Sequence, residues 1–171
     1  MEKVNCVIRL LEENDIPQIV RAFAELGWPK PQSQYEHYLM EQKLDMRNVY
    51  VAFIGGEFAG YLTICWASTY VPFLDEGIPE IVDFNVLPKF RRQGIGTQLM
   101  EEAECAIDRI SLFAGIGVGM TPDYGAAQRL YTLRGYVPDG RGLHYHGRPV
   151  KYGQGLTVND DLVLYFVKKL R

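Results

Sequence analysis

Hydrophobic and polar positions repeat with two different periods along this chain, and the period predicts the type of each element. Apolar residues at every second position indicate strands, which we predict over residues 4–12, 48–54, 57–68, 80–87, 112–120 and 162–167, with a further hairpin near residues 143–150. Apolar residues three or four positions apart indicate helices, which we predict over residues 14–26, 34–44, 94–110 and 121–135. This order of strands and helices predicts an α/β fold with a mixed sheet.

Capping and turn residues mark several ends of these elements. Asn14 is the predicted N-cap of the first helix, and Ser33 and Glu36 have capping-box spacing for the second. The pair Gly55-Gly56 supplies the positive φ that a tight hairpin turn requires. Residues 69–79 show neither period and are predicted to form a loop.

The long helix predicted over residues 94–110 is amphipathic. Its apolar residues form one stripe, which consists of Ile95, Leu99, Ala103, Ala106, Ile107 and Ile110. Its acidic residues lie away from that stripe and are Glu101, Glu102, Glu104 and Asp108. We therefore expect the stripe to be buried and the acidic residues to face solvent.

Composition indicates an ordinary globular protein with one domain, over residues 1–171. Of the 171 residues, 47% are hydrophobic and 23% are charged, which excludes a disordered, collagen-like or coiled-coil chain. A net charge of −3 argues against nucleic acid or an anionic membrane as the main partner. Neither a signal peptide nor a membrane span is recognisable. Three scattered cysteines predict reduced, mostly buried thiols, and hence a cytoplasmic protein.

The segment VLPKFRRQGIGT, residues 86–97, carries the clearest chemical signal. A strand ends there, a basic turn containing Arg91 and Arg92 follows, and Gly94 and Gly96 open the long helix. Unpaired N–H groups at a helix N-terminus bind anions, and glycines allow a phosphate close to the backbone. The segment therefore indicates a phosphorylated ligand, although spacing alone equally fits a tightly packed strand-to-helix turn. It matches neither the dinucleotide fingerprint nor the P-loop.

Two motifs resemble those of the GNAT acetyltransferase superfamily. Its motif A is R/Q-x-x-G-x-G/A after a strand that ends in V-x-P, and here V-L-P precedes RRQGIG. Its second motif is N-x-x-A-x-x-L-Y-x-x-x-G-F/Y, and here residues 124–136 read YGAAQRLYTLRGY. Tyr124 stands where many members have Asn. The resemblance implies a single GNAT-like domain, with a mostly antiparallel mixed sheet that splays at the cofactor strand and helices on both faces.

The resemblance also implies transfer of an acetyl group from acetyl-CoA to a primary amine by direct attack in a ternary complex. The pyrophosphate of acetyl-CoA would bind the loop, and the pantetheine arm and acetyl carbonyl would bind the backbone of the preceding strand. The implied cofactor-binding residues are Asn85, Val86, Arg91, Arg92, Gln93, Gly94, Ile95, Gly96 and Thr97. No metal is expected, because His144 and His146 lack further ligands at metal spacing.

Candidate catalytic residues follow from what the reaction requires. A base must take a proton from the amine, and Glu80 and Asp83 are the two candidates on the cofactor strand. Strand alternation places them on opposite faces unless the strand is bulged, so at most one is expected to serve. Tyr131, at the LY position of the second motif, is the predicted proton donor to the CoA sulfur. Each residue could instead be structural.

The acceptor amine is less specified than the cofactor. In this superfamily the acceptor site is built by regions that carry aromatic rings and carboxylates in this sequence, and such groups suit a cationic amine. The candidate acceptor-binding residues are Trp28, Tyr35, Tyr70 and Asp75. We predict that the acceptor is a small molecule rather than a protein. The sequence is also compatible with a homodimer. The alternatives are a GNAT-like domain that binds acyl-CoA without turnover, or an unrelated module that binds a phosphorylated ligand.

Overall fold

The structure is a computed structural model that describes residues 6–28 and 30–171. Its strands are β1 (Cys6–Leu10), β2 (Arg47–Ile54), β3 (Glu57–Cys65), β4 (Glu80–Val86), β5 (Phe113–Gly119), β6 (Val137–Tyr145), β7 (Arg148–Pro149) and β8 (Leu162–Lys169). Its α-helices are α1 (Ile16–Glu25), α2 (Gln32–Lys43), α3 (Val71–Glu76), α4 (Ile95–Asp108) and α5 (Gly125–Leu133). Short 3-10 helices precede α1, α4 and α5.

The strands form one mixed sheet in the order β1-β2-β3-β4-β5-β8-β6-β7. β4 and β5 are parallel and pair at Glu80↔Gly115 and Ile81↔Ile116. Antiparallel pairs join β1 to β2, β2 to β3, β5 to β8, and β6 to both β7 and β8. The predicted α/β class and mixed sheet are confirmed, while the predicted splay of β4 from β5 stays a prediction.

The chain forms two compact units that share β4. Of the described residues, unit 1 contains 6–28, 30–66 and 82–105, and unit 2 contains 67–81 and 106–171. The core of unit 1 joins α1, α2 and β2–β3 through buried apolar side chains that include Phe23, Tyr35 and Tyr61. In unit 2, Tyr70, Phe73 and Ile78 form a smaller cluster against Tyr165. Burial of such large side chains supplies most of the driving force for folding.

The β2–β3 hairpin is confirmed, with positive φ at Gly55 and Gly56. The predicted caps are wrong. A 3-10 turn precedes α1, so Asp15 rather than Asn14 is its N-cap. α2 starts at Gln32 after Pro31, which leaves Ser33 inside the helix and no capping box. The start of the predicted first strand, residues 4 and 5, lies outside the described residues.

Three further expectations require correction. α3 occupies part of the predicted loop, since a six-residue helix is too short to show a clear period. α4 ends at Asp108, so Ile110 leaves the apolar stripe and is exposed, whereas Glu104 is buried. The cysteines are free as predicted, but they are not mostly buried: Cys6 and Cys65 are half-buried and Cys105 is exposed. Within the described ranges, no helix is both long and apolar enough to cross a bilayer.

Candidate active site

The basic loop between β4 and α4 presents a row of free backbone N–H groups. Arg92 and Gly94 have positive φ values of 61° and 80°. Among the described residues, the first backbone hydrogen bond of α4 runs from Gln98 N to Gly94 O at 3.0 Å, and the N–H groups of residues 92–97 donate none. Successive N–H groups in such a turn form a concave anion-binding surface, reinforced here by the helix dipole.

Side chains hold this loop open toward solvent. Arg91 Nε donates to Val86 O at 3.0 Å, and Gln93 Nε2 donates to Lys89 O at 3.1 Å. A Cβ atom at Gly94 would meet nothing closer than Gln98 Nε2 at 4.0 Å. Because free donors, two arginines and open space coincide, the residues present fit the pyrophosphate of acetyl-CoA.

Asp83, in unit 1, accepts hydrogen bonds from five side chains. Its Oδ1 accepts from Lys30 Nζ at 2.8 Å and from Asn85 Nδ2 at 2.8 Å. Its Oδ2 accepts from Gln34 Nε2 at 2.9 Å, from the Tyr38 hydroxyl at 3.0 Å, and from the Tyr61 hydroxyl. A carboxylate offers about four lone-pair sites, so this one is saturated.

The tyrosines around Asp83 act only as donors to it. Burial raises the pKa of both the Tyr61 and the Tyr38 hydroxyl well above the ordinary value of 10.0, and the Asp83 charge raises the pKa of both further. Both hydroxyls therefore stay protonated at neutral pH. Asp83 itself has a φ of 51°, which interrupts the regular alternation of β4.

β4 is held closely against β3 just beyond Asp83. A Cβ atom at Gly60 would lie 2.5 Å from Asn85 O and 3.0 Å from Val86 Cα, so glycine permits the close approach of the two backbones. Leu87 N donates to Ala59 O at 2.9 Å. The predicted cofactor residues Asn85 and Val86 thus lie in a backbone that is fixed on one side by β3.

Glu80, in unit 2, is buried, with 5% of its surface exposed. Its Oε2 accepts a hydrogen bond from the Ser68 hydroxyl. Ser68 Oγ in turn accepts from the Tyr70 backbone N–H at 2.9 Å. Glu80 is therefore an interior carboxylate with a neutral hydroxyl among its partners, rather than a solvated charge at the start of β4.

Tyr70, whose backbone N–H donates to Ser68, also belongs to a cluster of aromatic rings. Its ring stacks on Tyr165, with centroids 3.6 Å apart and planes 5° apart, and it contacts Phe73 and His144 edge-on. Its hydroxyl donates to Asp139 Oδ2 at 2.7 Å. Gly115 and Gly119 face the rings of Phe73 and Tyr124, so these glycines make room for side chains rather than for a phosphate.

Tyr131 lies on α5 in unit 2, with 5% of its surface exposed. Its ring centroid is 6.1 Å from that of Tyr136. Burial raises the pKa of its hydroxyl above the ordinary value. Tyr131 therefore keeps its proton at neutral pH and can act as a hydrogen-bond donor.

The acceptor candidates have unlike surroundings. Trp28 is 41% exposed, stacks against Phe23 and lies under the Arg91 guanidinium. Tyr35 is fully buried between the Tyr38 and Tyr61 rings. Asp75 is exposed on α3. The structure brings Asn85 and Tyr35 together with Asp83: Asn85 donates to its carboxylate, and Tyr35 packs against Tyr38 and Tyr61, whose hydroxyls also donate to it. Ser68 links Glu80 to the Tyr70 backbone.

Several residues around these carboxylates were not singled out from the sequence. They are Lys30, Gln34 and Tyr61 around Asp83, and Ser68 next to Glu80. The sequence shows Lys30 between two prolines, but no local pattern links it to Asp83, which follows 53 residues later. Among the described residues, no group of three potential metal ligands occurs. His144 is buried among rings, and His146 is exposed.

Comparisons with known proteins agree with these features. The model of the acetyltransferase (GNAT) family matches residues 16–136. An uncharacterized N-acetyltransferase from Archaeoglobus fulgidus is 33% identical over 138 residues, which cover 73% of this chain and 88% of that protein.

Solved structures show the same fold. An N-acetyltransferase from Staphylococcus aureus Mu50 superposes with a TM-score of 0.72 at 14% identity, over 98% of this chain and 99% of that one. The yncA protein of Salmonella typhimurium, solved with its cofactor acetyl-CoA, superposes with a TM-score of 0.69 at 17% identity, over 98% and 95% of the two chains. With the family model matching most of its length and a relative at 33% identity, this chain belongs to the GNAT acetyltransferase family.

Proposed function

We propose that this protein is an acetyl-CoA-dependent N-acetyltransferase that acetylates a primary amine, a small molecule in preference to a protein. The row of free N–H groups at residues 92–97 carries this proposal, because it lies at the motif that resembles motif A and suits a pyrophosphate. Bound acetyl-CoA supplies an activated acetyl thioester. The protein's own residues then bind acetyl-CoA, orient the amine and accept the proton that the amine loses.

Binding and orientation fall to β4 and the basic loop. Arg91, Arg92 and the N–H groups that follow hold the phosphates, and Gln93 shapes the loop through its bond to Lys89 O. The backbone at Asn85 and Val86 binds the pantetheine arm and polarises the acetyl carbonyl through an N–H donor. Gly60 supports this part of β4, since it lets β3 approach.

Glu80 is the favoured base. The amine must lose a proton as it attacks, and an interior carboxylate hydrogen-bonded to a hydroxyl can take up that proton. Asp83 is less suited, because a proton on either oxygen would have to displace one of its five donors. Tyr131 donates a hydrogen bond to the sulfur as CoA leaves. Trp28, Tyr70 and Asp75 stay the proposed acceptor residues, with cation–π and charge interactions selecting an ammonium group. Tyr35 is fully buried between the Tyr38 and Tyr61 rings, so it has no surface with which to contact the amine.

The decisive experiment measures thiol release from acetyl-CoA with spermidine, glucosamine, free amino acids, a lysine peptide and a peptide with a free N-terminus. Amine-dependent release, fastest with a small amine, supports the proposal. Calorimetry that shows acetyl-CoA binding without release on any amine supports the alternative of a non-catalytic acyl-CoA-binding domain. No binding at all contradicts both.

Gly94→Trp tests the cofactor loop directly. The indole would cover the N–H groups of the loop, so calorimetric affinity for acetyl-CoA should fall by about a hundredfold or more, a loss of about 3 kcal/mol. Gly153→Trp is the matched control, because Gly153 also has positive φ and open space around it. Equal acetyl-CoA affinity in the two folded variants would place the pyrophosphate elsewhere.

A further inference from the structure

Lys30 reaches the β4 carboxylate from the segment between α1 and α2. Its Nζ lies 2.8 Å from Asp83 Oδ1 and donates to the Tyr61 hydroxyl at 2.6 Å. The ammonium also lies 5.1 Å from the ring centroids of Phe23 and Tyr61. Both side chains of the ion pair are 21% exposed. Because solvent screens such a pair less than one on the open surface, Lys30 holds the Asp83 carboxylate in place.

The Asp83 carboxylate in turn fixes the backbone of β4. A φ of 51° is unfavourable for a residue with a Cβ atom and persists where the surroundings impose it. Here the side-chain donors to Asp83 impose it from α2, β3 and the Lys30 segment. Thr63 Oγ1 donates to Val82 O at 2.9 Å on one side of the turn, and Gly60 admits Asn85 on the other.

We propose that Lys30 is a positioning residue for acetyl transfer that acts through Asp83 by locking the left-handed turn of β4. The inference rests on the proposed function, which assigns the strand directly after this turn, at Asn85 and Val86, to the acetyl group. Without the ammonium, Asp83 keeps its neutral donors but loses its counter-charge. The turn then loosens, and the N–H donor for the acetyl carbonyl loses its alignment.

A set of variants separates positioning from simple packing. Lys30→Met removes the ammonium and keeps an unbranched chain, and Lys30→Arg keeps the charge. With the amine that the wild type acetylates fastest in the thiol-release panel, Lys30→Met should lower kcat about tenfold, with little change in the KM for acetyl-CoA. Lys30→Arg should restore most of the loss. Lys43→Met, on the exposed end of α2, is the control for a lysine-to-methionine change.

The double variant Lys30→Met/Asp83→Asn shows whether Lys30 acts through Asp83. If it does, the double variant is no slower than Asp83→Asn alone. Three results would each overturn the inference. The kcat losses of Lys30→Met and Asp83→Asn could multiply in the double variant, Lys30→Arg could be as slow as Lys30→Met, or Lys30→Met could keep the wild-type kcat.

Hydrogen exchange tests the same inference without turnover. Lys30→Met should raise the exchange rates of the amides of residues 84–86 about tenfold, while those of β1 and β2 stay close to wild type. Unchanged exchange at residues 84–86 would overturn the inference even in an active enzyme. Absence of CoA release from the wild type with every amine would instead contradict the proposed function, and the exchange measurement would still decide the role of Lys30.

Discussion

Asp83 and Glu80 lie three residues apart on β4, yet unit 1 and unit 2 hold them in different ways. Asp83 is paired with an ammonium and saturated by neutral donors, whereas Glu80 is buried and hydrogen-bonded to a serine hydroxyl. A carboxylate with a fixed counter-charge serves as a permanent acceptor that shapes the chain around it. An interior carboxylate with a hydroxyl partner can exchange a proton when a substrate amine arrives. Two acids on one strand are thus suited to different tasks.

The largest expected effect separates these two tasks. Glu80→Gln should lower kcat about 10²- to 10⁴-fold, the usual contribution of a general base. Asp83→Asn should lower it only about tenfold, through loss of alignment. Thiol-release kinetics at saturating acetyl-CoA measures both, with circular dichroism as the check on folding. The reverse order of the two losses would make Asp83 the base.

Tyr131→Phe extends the comparison to the proposed hydrogen-bond donor in unit 2. Because burial raises the pKa of Tyr131, we expect it to donate a hydrogen bond to the leaving sulfur rather than to complete a proton transfer. A hydrogen bond to a charged group is worth about 1.5–3 kcal/mol, so kcat should fall roughly ten- to a hundredfold. Acetyl-CoA affinity by calorimetry should be unchanged. If Tyr131→Phe keeps the wild-type kcat under conditions where chemistry limits turnover, Tyr131 is only an aromatic residue of the core.

The element types were predictable from the sequence because they depend on local periodicity. The hairpin at Gly55-Gly56 is an example, since two adjacent residues determine it. Helix ends were less predictable: α2 starts at Gln32 because Pro31 takes the N-cap position. Ile110 shows the same limit, because the sequence continued an apolar stripe beyond the end of α4 at Asp108.

The candidate site was predictable only where a contiguous motif carries it. The basic loop at residues 86–97 is such a motif, and its backbone has the free N–H groups expected of it. The surroundings of Asp83 were not predictable, because Lys30 and Tyr61 are 53 and 22 residues away in the chain. Pairings of this kind depend on the register of β3 and on where α2 packs.

Removing one tyrosine hydroxyl from each unit compares how much the hydrogen bonds around Asp83, in unit 1, and around Asp139, in unit 2, stabilise the fold. Tyr61→Phe takes a donor from Asp83 and an acceptor from Lys30, so the free energy of unfolding should fall by about 3 kcal/mol. Tyr70→Phe removes one bond to Asp139 and should cost about 1.5 kcal/mol. Urea denaturation at neutral pH measures both. Tyr35→Phe is the matched control, because the Tyr35 hydroxyl is buried beside the Tyr61 ring but bonds neither Asp83 nor Lys30; a loss in this control equal to that of Tyr61→Phe would contradict the assignment.

The last expected effect appears at high pH, in unit 2. Burial, and then the negative charges of Glu80 and Asp139, raise the pKa of Tyr165 from 10.0 to about 12. A raised pKa means that folding favours the protonated hydroxyl, so its contribution to stability is complete below pH 10.0 and is lost as the pH rises toward about 12. The urea midpoint of Tyr165→Phe should therefore fall less steeply than that of the wild type across this interval, and one phenolate absorbance step near pH 12 should disappear. Parallel curves for the two proteins would show that Tyr165 ionises equally well in the folded and unfolded chain, and that Glu80 and Asp139 exert no field on it.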